Sequence, residues 1–395
     1  MSGPLHGLRV IDLTTMIAGP YATMILGDQG AEVIKVERPG QGDQTRAAGN
    51  KSNGLSSSFL NNNRNKRSVA IDLKAEKGRD LLLKLARSAD VLVQNFRPGV
   101  VERLGIGEQD VRTVAPDIVY VSISGFGEDG PYVRKPTYDP IIQAVSGLAS
   151  IQGGSDNNRP RLVRTIVPDK VTAMTASQAI TAALLARERT GMAQHVRLSM
   201  LDSVVAFLWA SDMGGQTYVG KEISEQRAAS FIDLIYETQD GHMSVSVMSD
   251  TQWAALTRAL EKPEWLDDDR FKTMELRDLN IDDRLSLTQS VLATRTTGEW
   301  VQRLEAAGVP CAPVLTRREM IRHPQTEANG IVIETDHPIA GRLRQARPPA
   351  RFEKTPAGIR HGAPALGADT EAVLGELGVS AEEIAVLRSD AVIGG

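Results

Sequence analysis

Asp169 is the residue whose type and position most directly suggest chemistry. It follows Pro168 at the start of "DKVTAMTASQAITAALLARERTG" (169–191), a stretch typical of a long helix that ends at Gly191. The start of a helix stabilises an ionised carboxylate, and an ionised carboxylate can act as a nucleophile. An aspartate at this place also commonly caps the helix, and spacing alone favours the capping role. The residues leave both roles open.

Positive charge near the expected strand ends suggests a second kind of site. The formal net charge of the chain is −4, yet several Lys and Arg residues between positions 38 and 103 fall in or near loops after apolar runs. For any single one of them, a solvated surface is the more common role. Together they indicate a polyphosphate ligand. These residues are Arg38, Arg46, Arg64, Lys66, Arg67, Lys74, Arg97 and Arg103.

The stretch "GFGEDG" (125–130) has the G-x-G-x-x-G spacing of a dinucleotide-binding loop. Such a loop must open a helix, with an acidic residue about 20 positions further on. Here Pro131 and Pro136 follow within a few residues, and the next acid, Asp139, is too close. We therefore predict a glycine-rich turn after a strand, and a nucleotide-dependent oxidoreductase is the weaker alternative.

Composition limits the class of protein. The 395 residues are enough for two domains, and 41% hydrophobic with 24% charged residues is ordinary for a globular chain. No basic tail suggests a nucleic-acid partner, and no apolar run approaches membrane-spanning length. The single cysteine, Cys311, and an N-terminus without signal-peptide character predict a cytoplasmic protein. The six histidines lack metal-ligand spacing, so we expect no metal site.

The first third of the chain alternates strand and helix patterns. Such alternation predicts an α/β fold with a Rossmann-like parallel sheet, whose ligands lie beyond the carboxyl ends of the strands. The expected strands are 8–13, 31–37, 68–73, 90–96 and 117–123, and 74–90 has the pattern of an amphipathic helix.

The later pattern predicts a discontinuous large domain. We expect its first part over 1–215, a polar linker over 216–230, a smaller α+β domain over 231–325, and completion of the large domain over 326–395. The smaller domain begins with a hairpin pattern and continues with helices.

Several longer phrases carry the pattern of a known family. The most specific lies within "LRVIDLTTMIAGPYATMILGDQGAEVIKVERPGQGDQTR" (8–46), and others are "NRNKRSVAIDLK" (63–74), "DVLVQNFRPGVVERLGIG" (90–107), "IVYVSISGFGEDGPY" (118–132), "YDPIIQAVSGL" (138–148) and "TGEWVQRLEAAGVPCAPV" (297–314). Over nearly the whole chain these phrases resemble the class III CoA-transferase family, the relatives of formyl-CoA transferase and carnitine CoA-transferase.

The resemblance implies an acyl-CoA:carboxylate CoA-transferase whose substrates are an acyl-CoA and a carboxylic acid. It implies Asp169 as the nucleophile, with aspartyl mixed anhydride and aspartyl-CoA thioester intermediates. Coenzyme A would enter as part of the substrate, with no tightly bound cofactor, and the fold would be a homodimer of interlocked rings. The positions that match or neighbour coenzyme A contacts are Arg38, Ile71, Lys74, Asn95, Phe96, Arg97, Arg103, Ile17 and Tyr138.

Three departures from the family pattern concern specificity. Ile17 stands where formyl-CoA transferase has a glutamine, and "SVMSDTQW" (246–253) replaces a glycine run. The alternative within the superfamily is an α-methylacyl-CoA racemase, which uses a histidine where this chain has Tyr138. Because tyrosine is a poor proton shuttle near neutral pH, we favour the transferase.

Overall fold

The computed structural model describes residues 3–223 and 234–394. The chain divides into two compact units, of which the large unit is Met1–Ala229 with Gly330–Gly395 and the small unit is Ser230–Asn329. Of the predicted linker 216–230, residues 224–230 lie outside the described part, as do the first three residues of the predicted hairpin.

Seven strands of the large unit form one sheet. The strands of the chain are β1 (Arg9–Asp12), β2 (Glu32–Glu37), β3 (Lys51–Ser52), β4 (Leu55–Ser56), β5 (Lys66–Ile71), β6 (Val91–Gln94), β7 (Val119–Ser124), β8 (His195–Ser199), β9 (Ile235–Glu237), β10 (His242–Val245), β11 (Cys311–Pro313), β12 (Val332–His337), β13 (Gly341–Ala346) and β14 (Ile393–Gly394). The order of the large sheet is β14-β5-β2-β1-β6-β7-β8. Only β14 pairs in the antiparallel sense, so this sheet is the predicted parallel one.

Helices follow most strands of this sheet. The helices are α1 (Ala18–Asp28), α2 (Ser57–Asn62), α3 (Glu76–Ala86), α4 (Val100–Arg103), α5 (Glu108–Val114), α6 (Asp139–Val145), α7 (Leu148–Ile151), α8 (Val167–Thr190), α9 (Met200–Trp209), α10 (Asp250–Ala259), α11 (Met274–Leu279), α12 (Ile281–Leu292), α13 (Thr297–Ala306), α14 (Arg317–Ile321), α15 (Pro324–Ala328), α16 (Thr370–Glu376) and α17 (Ala381–Ser389). None of the helices in the described ranges is long and apolar enough to cross a membrane.

The large sheet is covered on both faces, which explains why its strands read as nearly continuous apolar runs. Alternate residues point to opposite faces. On β1, Val10 packs in the cluster that contains α1 and α8, whereas Ile11 packs in the cluster that contains α3, α5, α16 and α17. The same alternation places α1 and α8 side by side on one face, and α1 begins shortly after the carboxyl end of β1.

The carboxyl-terminal segment completes the other edge of the large sheet. β14 pairs with β5, and Asp369 Oδ2 accepts the Ser68 backbone N–H at 2.8 Å, just before α16 begins. Leu374 and Leu387 from α16 and α17 bury apolar surface against the same face. Residues from the two ends of the chain therefore share one core.

The small unit has its own sheet and core. β9, β10 and β11 form an antiparallel sheet with β10 in the centre. Helices α10, α12 and α13 pack on it around five buried aromatic side chains, Tyr236, Trp253, Trp265, Phe271 and Trp300. The "GFGEDG" stretch of the large unit is a turn after β7, and the next helix, α6, begins only at Asp139, as the prolines predict.

Candidate active site

Asp169 lies in the first turn of α8 rather than at its cap. The helix begins at Val167 and the cap position is Ile166, so the capping role that spacing favours is wrong. The reason is that Pro168 is accepted within the first turn, where its missing N–H is not needed. The half-buried Asp169 carboxylate instead lies near the backbone N–H of Ala18, the first residue of α1, which acts on it as a hydrogen-bond donor and lowers its pKa. Two helix N-termini therefore meet at one carboxylate, which favours its ionised form.

A second carboxylate, Asp139, is buried beside the first. Its Oδ2 accepts the backbone N–H of Asp169 at 3.3 Å, and its Oδ1 accepts Gln143 Nε2 at 2.6 Å. Burial, together with repulsion by Asp139, raises the pKa of Asp169 to about 6, although the Ala18 N–H acts in the opposite direction. A carboxylate with this pKa is mostly ionised at neutral pH and is more basic than an ordinary aspartate. Both properties suit a nucleophile.

The loop from β1 to α1 brings the Ala18 N–H to this place. Met16 adopts a left-handed conformation (φ 71°), which is uncommon for a residue other than glycine. Gly19 approaches the same loop so closely that a Cβ atom there would lie 2.3 Å from Thr14 Cβ. A glycine is therefore required in the first turn of α1 if the loop is to pack against it.

A buried cluster of charges lies under this loop. Asp12, Lys35, Asp43 and Lys66 have fully buried side chains, with 2.9 Å between Lys66 Nζ and Asp12 Oδ2 and 3.1 Å between Lys35 Nζ and Asp43 Oδ2. Burial alone would raise the pKa of Asp12, but Lys35 and Lys66 hold it well below its usual value. Burial and the nearby Lys35 lower the pKa of Lys66 to about 8. The charges of this cluster compensate one another inside the protein.

The eight cationic residues of the polyphosphate hypothesis fall into two groups. Four have carboxylate partners: Arg46 with Glu37, Arg64 with Asp28, Lys66 with Asp12, and Arg67 with Glu32 and Glu376. The other four are exposed and have no carboxylate within 4.0 Å among the described residues: Arg38, Lys74, Arg97 and Arg103. The sequence-based polyphosphate hypothesis therefore keeps only the second group.

The free cations lie on neighbouring strands of the sheet. Arg38 follows β2, Lys74 follows β5, and Arg97 and Arg103 follow β6. Because these strands are consecutive neighbours of β1 in the order β5-β2-β1-β6, their loops share one edge with the β1–α1 loop. The sheet topology thus brings the free cations to the edge from which Ala18 reaches Asp169.

The other residues implied by the family resemblance have diverse environments. The Ile71 side chain is 2% exposed in the core, so we expect any ligand contact there to involve its backbone. The Asn95 side chain binds both backbone groups of Thr15. Ile17 is half-buried at the cap of α1, and Tyr138, at the cap of α6, is 60% exposed.

Phe96 and Arg97 line a cavity of about 560 Å³ that runs along β7 and the first half of β8 and is also lined by residues of the β6–α4 loop and the start of α5. Its wall also contains the Ser122 hydroxyl, which lies 2.8 Å from His195 Nε2. Asp169 is not part of this wall. The cavity therefore lies apart from the candidate nucleophile, although it shares the β6–α4 loop with the free cations.

Two features of the site were missed by sequence reasoning. Asp139 was considered only as an acid too close to "GFGEDG", and Ala18 was not considered. A usable signal existed, because Asp139-Pro140 and Pro168-Asp169 both place an aspartate beside a proline at a helix start. The backbone donor has no side-chain signal and emerges only from the packing of α1 on α8. Among the described residues, no group of three or more His, Cys, Asp or Glu side chains could hold a metal ion.

Comparison with known proteins gives a family match over most of the chain. Residues 5–370 match the family described as CoA-transferase family III. Succinyl-CoA:glutarate CoA-transferase of Mus musculus is 35% identical over 381 residues, which are 95% of this chain and 86% of that protein. Formyl-CoA:oxalate CoA-transferase of Shigella sonnei is 32% identical over 419 residues, with 100% of both chains covered.

A solved structure shares the fold. A CAIB/BAIF family protein from Brucella suis superposes with a TM-score of 0.84 at 29% identity, covering 95% of this chain and 100% of that one. The curated relatives above are named as CoA-transferases, so the racemase alternative is not favoured.

Proposed function

The chain belongs to CoA-transferase family III and is a CoA-transferase; on this basis we propose that it works through covalent intermediates on Asp169. The observation that carries the proposal is the environment of this carboxylate. It is half-buried, it lies near the Ala18 N–H, and its pKa of about 6 leaves it ionised at neutral pH. No residue in the described part of the chain combines these features with a matching position in the family.

The proposed reaction conserves the energy of the thioester bond. Asp169 Oδ attacks the carbonyl carbon of the donor thioester, the C–S bond breaks, and CoA thiolate leaves a mixed anhydride on the enzyme. The thiolate then attacks the aspartyl carbonyl, which releases the donor carboxylate and forms an aspartyl-CoA thioester. Anhydride and thioester are both activated acyl groups, so neither step requires ATP.

The second half repeats these steps in reverse order. The acceptor carboxylate attacks the aspartyl thioester, forms a new mixed anhydride and releases CoA thiolate. The thiolate attacks the acceptor carbonyl, which yields the new acyl-CoA and frees Asp169. Water must be kept from the anhydride during this sequence, because hydrolysis would destroy the activated group.

The free cations support binding of coenzyme A along the same edge. Arg38, Lys74, Arg97 and Arg103 have no carboxylate partners in the described part of the chain, and phosphate groups would supply that charge. The paired cations nearby have their charge already compensated. We expect the phosphates of coenzyme A to contact some of the free group, while the thiol end reaches Asp169.

We propose a dicarboxylic acid as acceptor. The relatives named above pair an acyl-CoA with glutarate or oxalate, and both are dicarboxylic acids. Ile17 contributes an apolar side chain at the start of α1, which differs from the glutamine that the family resemblance associates with oxalate. This difference favours an acceptor longer than oxalate.

We also propose that the protein is a homodimer, and the interlocked rings are the form implied by the resemblance. Large apolar side chains on α8, α9 and the following turn are at least half exposed: Met174, Phe207, Trp209, Tyr218 and Val219. Monomeric proteins rarely leave so much apolar surface in water. Sedimentation equilibrium should give twice the chain mass; a monomer at micromolar concentration contradicts the proposal.

The test of the chemistry is intact-protein mass spectrometry after mixing with a panel of acyl-CoAs that includes succinyl-CoA. We expect a covalent acyl or CoA adduct that is lost in Asp169→Ala and retained in Asp80→Ala, a matched change at an exposed aspartate. Absence of any adduct and of acyl transfer, with deuterium uptake at the acyl α-carbon, would contradict the transferase mechanism and support the racemase.

A further inference from the structure

The β1–α1 loop is held by side chains from three other elements. Lys35 Nζ, from β2, donates to the Thr14 carbonyl oxygen at 2.7 Å. Asn95, directly after β6, accepts the Thr15 N–H at 3.0 Å and donates to the Thr15 carbonyl oxygen at 2.9 Å. The third contact is made to Met16, so three consecutive residues of the loop, Thr14, Thr15 and Met16, are each held by a side chain from outside it.

The contact at Met16 explains its unusual backbone. Asp43 Oδ1 accepts the Met16 N–H at 3.2 Å, and the same oxygen accepts the Thr45 N–H at 2.9 Å. A left-handed conformation at a residue with a side chain is unfavourable by itself and persists when its surroundings fix it. Two residues later, the Ala18 N–H meets the Asp169 carboxylate.

The three contacts differ in how they are buried. The Lys35 and Asp43 side chains are fully buried and compensate each other electrically. Asn95 is only half-buried, is uncharged, and directly follows β6. It is therefore the one contact of the three that can be removed without leaving a buried charge unpaired.

We propose that Asn95 is a positioning residue of the acyl-transfer site, which fixes Thr15 so that the Ala18 N–H faces the Asp169 carboxylate. This assignment rests on the proposed function of Asp169. It differs from the role that the family resemblance implies for Asn95, a contact with coenzyme A. The reason for the difference is that the Asn95 amide already has an accepted and a donated hydrogen bond within the loop.

The two roles predict different kinetics. If Asn95 acts through the loop, Asn95→Ala shifts the Ala18 N–H, and a displacement of this kind costs on the order of 10- to 100-fold in rate. Because the Ala18 N–H lowers the pKa of Asp169, its loss also moves the acidic limb of kcat/KM to higher pH. If Asn95 only contacts coenzyme A, KM for the acyl-CoA rises while kcat and the acidic limb stay unchanged.

The experiment compares wild type, Asn95→Ala, Asn95→Asp and the control Asn62→Ala. Among the described residues, the Asn62 side chain donates only to the Ser58 carbonyl oxygen within α2, so its removal tests the effect of losing an asparagine elsewhere. We expect a lower kcat, a nearly unchanged KM and a raised acidic limb in Asn95→Ala. Asn95→Asp keeps the oxygen that accepts the Thr15 N–H and should recover part of kcat. A rise in KM alone overturns the proposal.

Amide hydrogen exchange of the peptide 14–20 provides a readout that does not depend on activity. Faster exchange is expected in Asn95→Ala and not in Asn62→Ala. Unchanged exchange in Asn95→Ala overturns the positioning role even if wild type transfers CoA. If wild type forms no adduct on Asp169 while exchange still responds, the proposed function fails and the loop contact stands.

Discussion

Asp12 and Asp169 are two carboxylates of the same unit with opposite electrostatic environments. Asp12, at the end of β1, is fully buried, lies near two Lys ammonium groups and accepts hydrogen bonds from Thr14 and Thr23. Asp169 is half-buried, lies near one backbone N–H donor and lies beside another carboxylate. The pKa of Asp12 is held below its usual value, whereas that of Asp169 is raised to about 6.

Under the proposed function, this difference separates a structural charge, that of Asp12, from a reactive one, that of Asp169. The oxygens of Asp12 are occupied by donors, so the carboxylate is stabilised and unavailable. Asp169 has incomplete compensation, which keeps its oxygens available for a bond to carbon. We propose the same division for the cations: Arg46, Arg64, Lys66 and Arg67 have carboxylate partners and are structural, whereas the exposed group would bind a ligand.

Replacing Asp169 should therefore reduce activity and spare stability, whereas replacing Asp12 should reduce stability. The loss of activity in Asp169→Ala is the largest expected effect. Removal of a covalent nucleophile typically costs on the order of 10³-fold or more in kcat. The fold should be retained, because the carboxylate makes no ion pair with any described residue. Steady-state CoA transfer measures the loss, and a decrease below tenfold would contradict the nucleophile assignment.

Asp12→Asn should have the complementary effect on stability. Removing its charge leaves Lys35 and Lys66 in the interior with one carboxylate fewer, which typically costs about 3–5 kcal/mol. Urea unfolding should show this loss in the free energy of unfolding. A change below about 1 kcal/mol would mean that the cluster is not the structural element described here.

Asp139→Asn tests the cause of the raised pKa. Without the repulsion from Asp139, the pKa of Asp169 should fall from about 6, and the acidic limb of kcat/KM should move to lower pH by about one unit. The amide oxygen can still accept the Asp169 N–H, so the helix start is preserved. An unshifted limb would indicate that burial alone sets the pKa.

Much of this arrangement could be predicted from the sequence, and the failures have physical causes. The apolar runs of β1, β2, β5, β6 and β7 and the helices between them predicted the parallel sheet, because both faces of the sheet are buried. The phrase pattern singled out Asp169. The sequence could not separate free from paired cations, because Arg67 pairs with Glu376, a residue about 300 positions away in the chain. Lys35 and Lys66 lie within strands where apolar residues are usual, so their burial gave no signal.

The two groups of cations provide a matched pair of smaller changes. Arg38→Ala should raise KM for the acyl-CoA about tenfold with little change in kcat, because a phosphate contact is lost in ground state and transition state alike. Arg67→Ala removes the cation paired with Glu32 and Glu376, so it should leave KM for the acyl-CoA unchanged. Equal KM values in the two variants would contradict the division into structural and ligand-binding cations.

The pH dependence of stability provides the smallest and most specific contrast. The pKa of Asp169 is raised from 3.8 in the unfolded chain to about 6 in the folded protein, so between these pH values the folded protein holds a proton that the unfolded chain has lost. The contribution of this group to the free energy of unfolding therefore falls as pH rises through that window. Asp12, whose pKa is lowered, acts in the opposite direction and loses stabilisation only as pH falls. Asp169→Asn should therefore gain about 1 kcal/mol above pH 6 and nothing below pH 4, after a discount for partial exposure. If Asp169→Asn loses activity but becomes more stable above pH 6, the ionised carboxylate that serves the reaction lowers the free energy of unfolding.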